Sequence, residues 1–204
     1  MNFLNRKLGL YTDMYQLKMM QSYFYENKSE TPAAFDYFFR KLPFKGGYVV
    51  FAGLGDLIEA LNDFKFSKSD IDYLHLLNFK DDFLDYLKQF SFKGSITSVD
   101  EGRVIFPLEP VVTVEANLAE AQLLETLLLN ILNFSSLIAT KAARMKTAAP
   151  GKIFSDFGLR RSHGLGGIHA SKAAITGGFD STSNVFAANL FNLKAEGTMA
   201  HSFI

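Results

Sequence analysis

Cysteine is absent from the 204-residue sequence, which excludes disulfides, thiolate nucleophiles and cysteine-ligated zinc or iron–sulfur sites. An excess of charge is absent too, because 21 Lys and Arg residues balance 21 Asp and Glu residues. Proteins that bind nucleic acids usually carry a basic surplus to neutralise phosphates, so this balance argues against such a partner. Tryptophan is also missing, although 21 Phe residues indicate a packed interior.

Long apolar runs are missing as well. The longest stretch without a charged residue, 126–140, is interrupted by Asn and Ser residues and is shorter than the roughly 20 apolar residues that cross a bilayer. No basic and then apolar leader with a small-residue cleavage site opens the chain. We therefore expect a soluble, cytoplasmic protein with no membrane partner. The length suits one ordinary core with a small second lobe.

The first part of the chain predicts a lobe of mixed helices and strands. Thr12 is a suitable N-cap for a helix whose apolar positions begin at Met14 and which Pro32 ends. The alternation over 33–39 predicts a strand. Further along, the patterns predict a helix over 56–62, two short helices within 67–90, and β-structure over 94–114 that Pro107 and Pro110 divide.

Residues 118–146 are the clearest predicted helix, because they lack Gly and Pro and end before Pro150 and Gly151. The centre of this helix is apolar nearly all round, which predicts burial. After Pro150, strands and helices alternate with short Gly-rich connections, which is typical of parallel α/β structure. The predicted strands there are 152–157, 174–176 and 196–204, and the predicted helices are 162–173 and 181–191.

Three short loops in this last third each follow a predicted strand, the place where parallel α/β folds bind ligands. The first loop carries Arg160 and Arg161 just before a predicted helix start, which favours an anion site. The second carries paired glycines followed by Asp180 and Ser181, and the third sets His201 among small residues. Together the loops favour an α/β enzyme with a phosphate-bearing ligand.

Each of these features also has a simpler interpretation. The arginines can form surface ion pairs worth less than about 1 kcal/mol, Asp180 can be a helix cap, and His201 can be an ordinary strand-end histidine. The triplet Asp156-Phe157-Gly158 matches the metal-binding motif of protein kinases. A kinase also needs a full glycine-rich loop and a His-Arg-Asp loop, and the sequence contains neither. The kinase interpretation is therefore excluded.

Six motifs in order resemble the nicotinate phosphoribosyltransferase family. They are LYTDMY at 10–15, FFRK at 38–41, GGYVVFAG at 46–53, DFGLRR at 156–161, GFDSTSN at 178–184 and GTMAHS at 197–202. The resemblance implies an α/β fold class, with an α+β N-terminal lobe over 1–116. A long linking helix and the first strands and helices of an irregular, incomplete α/β barrel would then occupy 117–204.

The resemblance also implies a reaction. Nicotinate would attack C1 of phosphoribosyl pyrophosphate, giving nicotinate mononucleotide and pyrophosphate for NAD salvage. Cations and N–H donors are needed around the leaving group, together with a rigid platform for the flat ring. The resemblance assigns ring stacking to Phe157 and to Tyr15, the latter from a second subunit, and assigns phosphate binding to Arg40 and Arg160.

Further roles rest on the resemblance alone. Asp180 is placed near the pyridine and ribose, and Asp13, Ser181 and Thr198 are assigned to substrate binding. His201 resembles the histidine that ATP phosphorylates in the family, which couples ATP hydrolysis to product formation. Mg²⁺ is expected to arrive with phosphoribosyl pyrophosphate and ATP, and no protein-bound transition metal is expected.

The length departs from the family, whose members are considerably longer. A second chain or further sequence would have to complete the barrel, and a homodimer with a shared active site is expected. Two alternatives stay open: a truncated, non-catalytic fragment that binds a ligand or oligomerises, and the nicotinamide-using relative.

Overall fold

Helices and short strands alternate through the described part of the chain, residues 7–203 of a computed structural model. The α-helices are α1 Met14–Tyr25, α2 Leu54–Asn62, α3 Lys68–Leu76, α4 Asp81–Lys88, α5 Leu118–Ala148, α6 Gly166–Thr176 and α7 Val185–Leu190. The strands are β1 Pro32–Tyr37, β2 Val49–Val50, β3 Ser95–Ser98, β4 Val104–Ile105, β5 Val112–Asn117, β6 Ser155–Asp156 and β7 Ser181–Thr182. Short 3-10 helices span Pro43–Lys45, Leu159–Arg161 and His201–Phe203. The predicted α/β class is confirmed.

The chain divides into two compact units, and each is assembled from several segments. The first unit comprises Met1–Phe38, Leu54–Val99 and Pro110–Ile131, and the second comprises Phe39–Gly53, Asp100–Glu109 and Leu132–Ile204. Helix α5 therefore contributes its first half to one unit and its second half to the other. This division differs from the single boundary at 116/117 that the sequence suggests, because the chain crosses between units several times.

The first unit contains an antiparallel sheet in the order β1–β5–β3. Central β5 pairs with β1 through the register Phe35↔Val114 and with β3 through Ile96↔Val114. The predicted strand and the two predicted helices within 67–90 are confirmed as β1, α3 and α4. Helix α3 begins with a capping box between Ser67 and Asp70. Large buried side chains fill the core of this unit, among them Met20, Leu57, Phe64, Phe83, Leu87 and Leu123.

In the second unit, α5 serves as a hydrogen-bonding neighbour of β2. One edge of β2 pairs antiparallel with β4. On the α5 side, the Val50 N–H donates to the Thr140 hydroxyl at 2.9 Å, and the Ala52 N–H donates to the Ser136 hydroxyl at 3.1 Å. The Ser136 hydroxyl returns a 3.2 Å bond to the Ala52 carbonyl. Both hydroxyl side chains are buried, so they satisfy backbone groups that have no access to water.

The last third of the chain forms parallel structure, but with different boundaries from those predicted. Strands β6 and β7 pair in parallel. The predicted strand over 174–176 is wrong, because those residues continue α6 to its end at Thr176. The predicted helix over 181–191 is wrong at its start, where Ser181 and Thr182 form β7 and α7 begins only at Val185. The strand predicted over 196–204 is also wrong for 196–203, since a single parallel bridge joins Ala195 to Thr182 and a 3-10 helix follows; Ile204 lies outside the described residues.

The predicted long helix is confirmed as α5. By length and composition alone, α5 would be long enough and apolar enough to cross a membrane. Half of its most apolar stretch is buried within the protein, and core helices of soluble proteins can have the same length and composition.

Candidate active site

The carboxyl ends of β6 and β7 lie at one edge of a parallel pair. The register aligns Ser155 with Ser181 and Asp156 with Thr182, and Thr182 in turn bridges Ala195 in parallel. The segments that follow these strands therefore leave from the same edge, which we call the carboxyl edge: 157–162, 183–184 and 196–198. Ligands of parallel α/β folds bind at such an edge.

Phe157 and Arg160 lie in the first segment of the carboxyl edge. The Phe157 residue is 45% exposed, and Arg160 is exposed within the 3-10 helix Leu159–Arg161. The loop turns tightly because the Gly158 N–H donates to Oδ1 of Asp156 at 2.8 Å. An aromatic face and a guanidinium are thus both available to a ligand from one short loop.

A buried polar network holds this loop against α6 and β7. Oδ2 of Asp156 accepts from the hydroxyls of Ser171 at 2.7 Å and Thr182 at 3.0 Å. The Asn184 side chain donates to the Gly167 carbonyl at 3.2 Å and accepts from the Ala187 N–H as the N-cap of α7. Ser171, Thr182 and Asn184 are almost fully buried. We call these three side chains, together with Asp156, the Asp156 network.

Asp180 lies at the opposite, amino edge of the β6–β7 pair. The prediction that it follows a strand is wrong, because Asp180 precedes β7. Its Oδ2 forms a 2.5 Å ion pair with Lys146 and accepts the Phe154 N–H at 2.8 Å. The hydrogen bond from Lys146 and that from the Phe154 backbone hold the pKa of the Asp180 carboxyl below its usual value. The role of Asp180 in catalysis stays a prediction.

Ser181 is buried within β7, and its hydroxyl is engaged inside the sheet. It donates to Oε2 of Glu196 at 2.7 Å and is hydrogen-bonded to the Ser155 hydroxyl at 2.5 Å. The ammonium of Lys194 and the Ser181 hydroxyl lower the pKa of the Glu196 carboxyl. These contacts join β6, β7 and the segment after Ala195. The substrate-binding role of Ser181 stays a prediction.

Thr198 ends the third segment, and His201 follows it. Thr198 is exposed at the carboxyl edge, and His201 is exposed at the start of the 3-10 helix His201–Phe203. Arg40, shortly after β1 and also in the second unit, is exposed as well. Phe157, Arg160 and Thr198 are thus the predicted residues that one sheet edge brings together.

Asp13 and Tyr15 lie in the first unit, at the start of α1. Asp13, not Thr12 as predicted, occupies the N-cap position. The Asp13 carboxylate accepts the Thr126 hydroxyl of α5 at 3.0 Å, and the Thr12 hydroxyl bonds the Leu123 carbonyl at 3.5 Å. Tyr15 is 49% exposed. The motif at 10–15 is therefore docked on α5 with its tyrosine ring accessible.

The sequence prediction missed the Asp156 network and Ser183, which lies between β7 and α7 and donates its N–H to the Asp156 carbonyl at 2.8 Å. One signal was available, since Asn184 directly before an apolar run is an N-cap pattern. Within residues 7–203, no group of three or more His, Asp or Glu side chains is arranged to hold a metal ion.

Comparisons with known proteins agree on one family. A family model described as the nicotinate phosphoribosyltransferase (NAPRTase) N-terminal domain matches residues 10–133. The nicotinate phosphoribosyltransferase of Caenorhabditis elegans is 47% identical over 203 residues, covering 96% of this chain and 36% of the relative. That of Bacillus subtilis (strain 168) is also 47% identical, over 204 residues, covering 99% of this chain and 42% of the relative.

Solved structures give the same picture. The crystal structure of human nicotinic acid phosphoribosyltransferase matches with a TM-score of 0.88 and 37% identity, over 94% of this chain and 40% of that one. The nicotinate-nucleotide pyrophosphorylase of Pyrococcus furiosus matches with a TM-score of 0.78 and 28% identity, over 96% of this chain and 43% of that one. The chain thus spans less than half the length of these relatives.

Proposed function

The chain belongs to the nicotinate phosphoribosyltransferase family, and from this membership we propose that it serves the transfer of a phosphoribosyl group from phosphoribosyl pyrophosphate to nicotinate. The pyridine nitrogen of nicotinate forms a bond to C1 of the sugar, and the bond from C1 to the pyrophosphate oxygen breaks. The products are nicotinate mononucleotide and pyrophosphate, which places the reaction in NAD salvage.

The observation that carries the proposal is the shared carboxyl edge of β6, β7 and the Ala195 segment. Phe157 and Arg160 follow β6, and Thr198 follows the Ala195 segment on the other side of β7; all three residues are exposed. A flat apolar ring and a charged phosphate are both features of the proposed substrates. An exposed aromatic ring, a guanidinium and a hydroxyl on segments that leave the same edge match these features in kind.

Phe157 would stack on one face of the pyridine, and Tyr15 of a second copy would cover the other face. Stacking supplies about 1 kcal/mol beyond area burial, so it orients the ring and leaves most of the rate enhancement to other groups. Arg160 and Arg40 would bind phosphate oxygens. Negative charge grows on the departing pyrophosphate in the transition state, where fixed cations stabilise it most.

The remaining predicted residues would act around these contacts. Thr198, Ser181 and Asp13 would donate or accept hydrogen bonds to substrate, and Asp180 would act near the pyridine and ribose. Because Asp180 is engaged by Lys146 at the amino edge, this role requires the carboxylate to leave its ion pair. Mg²⁺ would enter the site bound to phosphoribosyl pyrophosphate and to ATP, because it prefers oxygen ligands such as those of their phosphates.

His201 would be phosphorylated by ATP, and the phosphohistidine would couple ATP hydrolysis to nucleotide formation. A neutral imidazole nitrogen is nucleophilic near pH 7, which suits this role. The exposure of His201 leaves its ring open to attack a γ-phosphate. The nitrogen forms the bond to phosphorus while ADP leaves.

A homodimer with shared active sites would bring Tyr15 of one copy to Phe157 of the other. Within residues 7–203, β6 and the Ala195 segment are the outer members of this parallel set, and further strands from a second chain or from additional sequence would pair there. A second candidate, left open by the sequence analysis, is a non-catalytic fragment that binds the ring or oligomerises.

One assay separates these candidates. Labelled nicotinate, phosphoribosyl pyrophosphate, Mg²⁺ and ATP are incubated with the protein, and labelled mononucleotide is measured, with nicotinamide in a parallel reaction. Product that forms with nicotinate but not with nicotinamide supports the proposal. Product that forms with nicotinamide but not with nicotinate assigns the chain to the nicotinamide-using relatives. Binding of labelled nicotinate without product supports the non-catalytic candidate. Arg160→Gln is the matched variant, because it removes the charge and keeps most of the side-chain volume.

A further inference from the structure

A polar stripe on the first half of α5 holds the segment that contains Tyr15. The stripe consists of Gln122, Glu125, Thr126 and Asn130, which share one face of the helix by their spacing. Two of its side chains bind Tyr11 and Asp13: the Tyr11 hydroxyl donates to the Asn130 side chain at 2.8 Å, and the Thr126 hydroxyl donates to Asp13 at 3.0 Å. All of these residues belong to the first unit.

Gln16 is the buried centre of the contacts between the stripe and Tyr15. Its Nε2 donates one hydrogen to the Tyr15 hydroxyl at 2.8 Å and the other to Oε2 of Glu125 at 2.7 Å. Its Oε1 accepts a short hydrogen bond from Gln122. The Gln16 side chain is fully buried and both of its amide hydrogens are used, so its orientation is fixed.

Glu125 ties the remaining groups together. Its Oε2 accepts from Gln16, which also binds the Tyr15 hydroxyl, and, at 3.3 Å, from Gln122. The Tyr15 hydroxyl is thus linked to Glu125 through the Gln16 amide, while the Tyr15 residue is 49% exposed. Burial and the nearby Glu125 carboxylate raise the pKa of the Tyr15 phenol, in agreement with this contact.

We propose that Glu125, acting with Gln16, is a positioning residue that fixes the exposed Tyr15 ring in one orientation for stacking on the flat ring of a substrate held by a second copy of the chain. The inference rests on the proposed function. A tyrosine anchored only at its Cα would lose rotational freedom each time a ring stacked on it, and this loss weakens binding. Anchoring the hydroxyl removes that freedom before the substrate arrives.

The test is a double-mutant cycle of Glu125→Gln and Tyr15→Phe. Glu125→Gln keeps the size of the side chain and removes its charge, and Tyr15→Phe keeps the ring and removes the anchored hydroxyl. Glu115→Gln is the matched control, because Glu115 is an exposed carboxylate on β5 in the same unit. Each variant is assayed for KM and kcat with nicotinate, or for the nicotinate dissociation constant where turnover is absent.

We expect Glu125→Gln to raise the nicotinate KM about two- to tenfold, the effect of freeing one side chain, with kcat unchanged. In the Tyr15→Phe background the same substitution leaves KM unchanged, because the hydroxyl on which Glu125 acts is gone. Glu115→Gln changes neither constant. An equal rise of KM in both backgrounds would overturn the inference, since Glu125 would then act by another route.

A second measurement does not depend on substrate. The ¹³Cζ resonance of Tyr15, assigned by its loss in Tyr15→Phe, is followed through a pH titration of ¹³C-tyrosine-labelled protein. Glu125→Gln should lower the midpoint of the Tyr15 titration, whereas an unchanged midpoint would remove the link between Glu125 and Tyr15 while leaving the proposed function intact. Conversely, wild-type protein that neither converts nor binds nicotinate would overturn the proposed function and the substrate part of this inference together.

Discussion

The hydroxyl of Ser171 donates a 2.7 Å hydrogen bond to Oδ2 of Asp156, the residue directly before Phe157. Because the other carboxylate oxygen accepts the Gly158 N–H, a serine on α6 is connected through one side chain to the loop that presents Phe157 and Arg160. The loop is exposed, but its attachment is buried. The shape of the carboxyl edge is therefore set from within the second unit.

Ser171→Ala should lower the free energy of unfolding by about 1–3 kcal/mol, because an acceptor of the Asp156 network loses its buried donor. Amide exchange of Gly158 should become faster at the same time. Both are measured by urea denaturation and by hydrogen exchange. Thr176→Ala on the same helix is the control, since its hydroxyl bonds only the Lys172 carbonyl of its own helix. Equal effects of the two substitutions would show that the network does not hold the loop.

Gly177→Ala should destabilise the second unit strongly. A Cβ at Gly177 would lie 2.3 Å from the Ala139 carbonyl oxygen and 2.7 Å from the Ala142 Cβ, so α5 and the end of α6 would have to separate. The expected loss is at or above the upper end of the roughly 1–3 kcal/mol typical of overpacking. Thermal unfolding measures it, with Gly47→Ala as control because, among residues 7–203, no heavy atom beyond its chain neighbours lies within 4 Å of a Cβ there. A Tm equal to that of wild type would contradict the close approach.

The Lys146–Asp180 ion pair should make stability depend on pH in the acid range. The pKa of Asp180 is lower in the folded protein than in the unfolded chain, chiefly through the hydrogen bond from Lys146. The pair's contribution is therefore present above the ordinary aspartate pKa of about 3.9 and is lost as pH falls through the lower folded value. Asp180→Asn should reduce Tm at pH 7 and leave a smaller difference from wild type at pH 3.

The same variant separates two roles of Asp180. If the carboxylate acts at the substrate, Asp180→Asn lowers kcat for mononucleotide synthesis even at temperatures far below Tm. If it only joins the amino edge to α5, kcat is retained and Tm alone falls. Lys146→Gln is the matched partner, because it breaks the ion pair and leaves the Asp180 carboxylate in place.

His201→Ala should abolish the stimulation of synthesis by ATP and leave slow ATP-independent synthesis. Incorporation of ³²P from γ-labelled ATP should disappear with it, because the proposed acceptor nitrogen is gone. His75→Asn is the control, since His75 lies in the first unit beside Asp81. ATP stimulation that persists in the alanine variant would refute the role assigned to His201.

Periodicity predicted the long elements well. Helix α5 has no Gly or Pro over its length and many apolar residues, and its predicted ends differ from the observed ones by few residues. The short elements were harder to predict from periodicity. Residues 174–176 were predicted to be a strand, but the first residue that can end α6 is Gly177, so the helix continues through them. A three-residue apolar run cannot distinguish a strand from the last turn of a helix.

The sequence suggested candidate site residues, whose roles stay predictions, but it did not give their geometry. Phe157 and Arg160 stand out because they follow a strand, whereas Asp180 was placed at the wrong end of β7, because the strand itself was assigned to a helix. Gln16 and Ser171 gave no signal, since a buried polar side chain is recognised only by its partners. Those partners, Glu125 and Asp156, are distant in the sequence or lie on another element.

The hydroxyls of Ser136 and Thr140 recognise peptide groups, which every residue type supplies. The stretch from Val50 to Ala52 is therefore held in place independently of the chemistry of its side chains, and it can exchange one small apolar residue for another without losing its anchor. Proline is the exception at positions 50 and 52, because it removes the very N–H that the helix binds. Helix α5 takes the place that a neighbouring strand would have beside β2. It therefore also covers an edge of β2 at which strands of other molecules could otherwise pair.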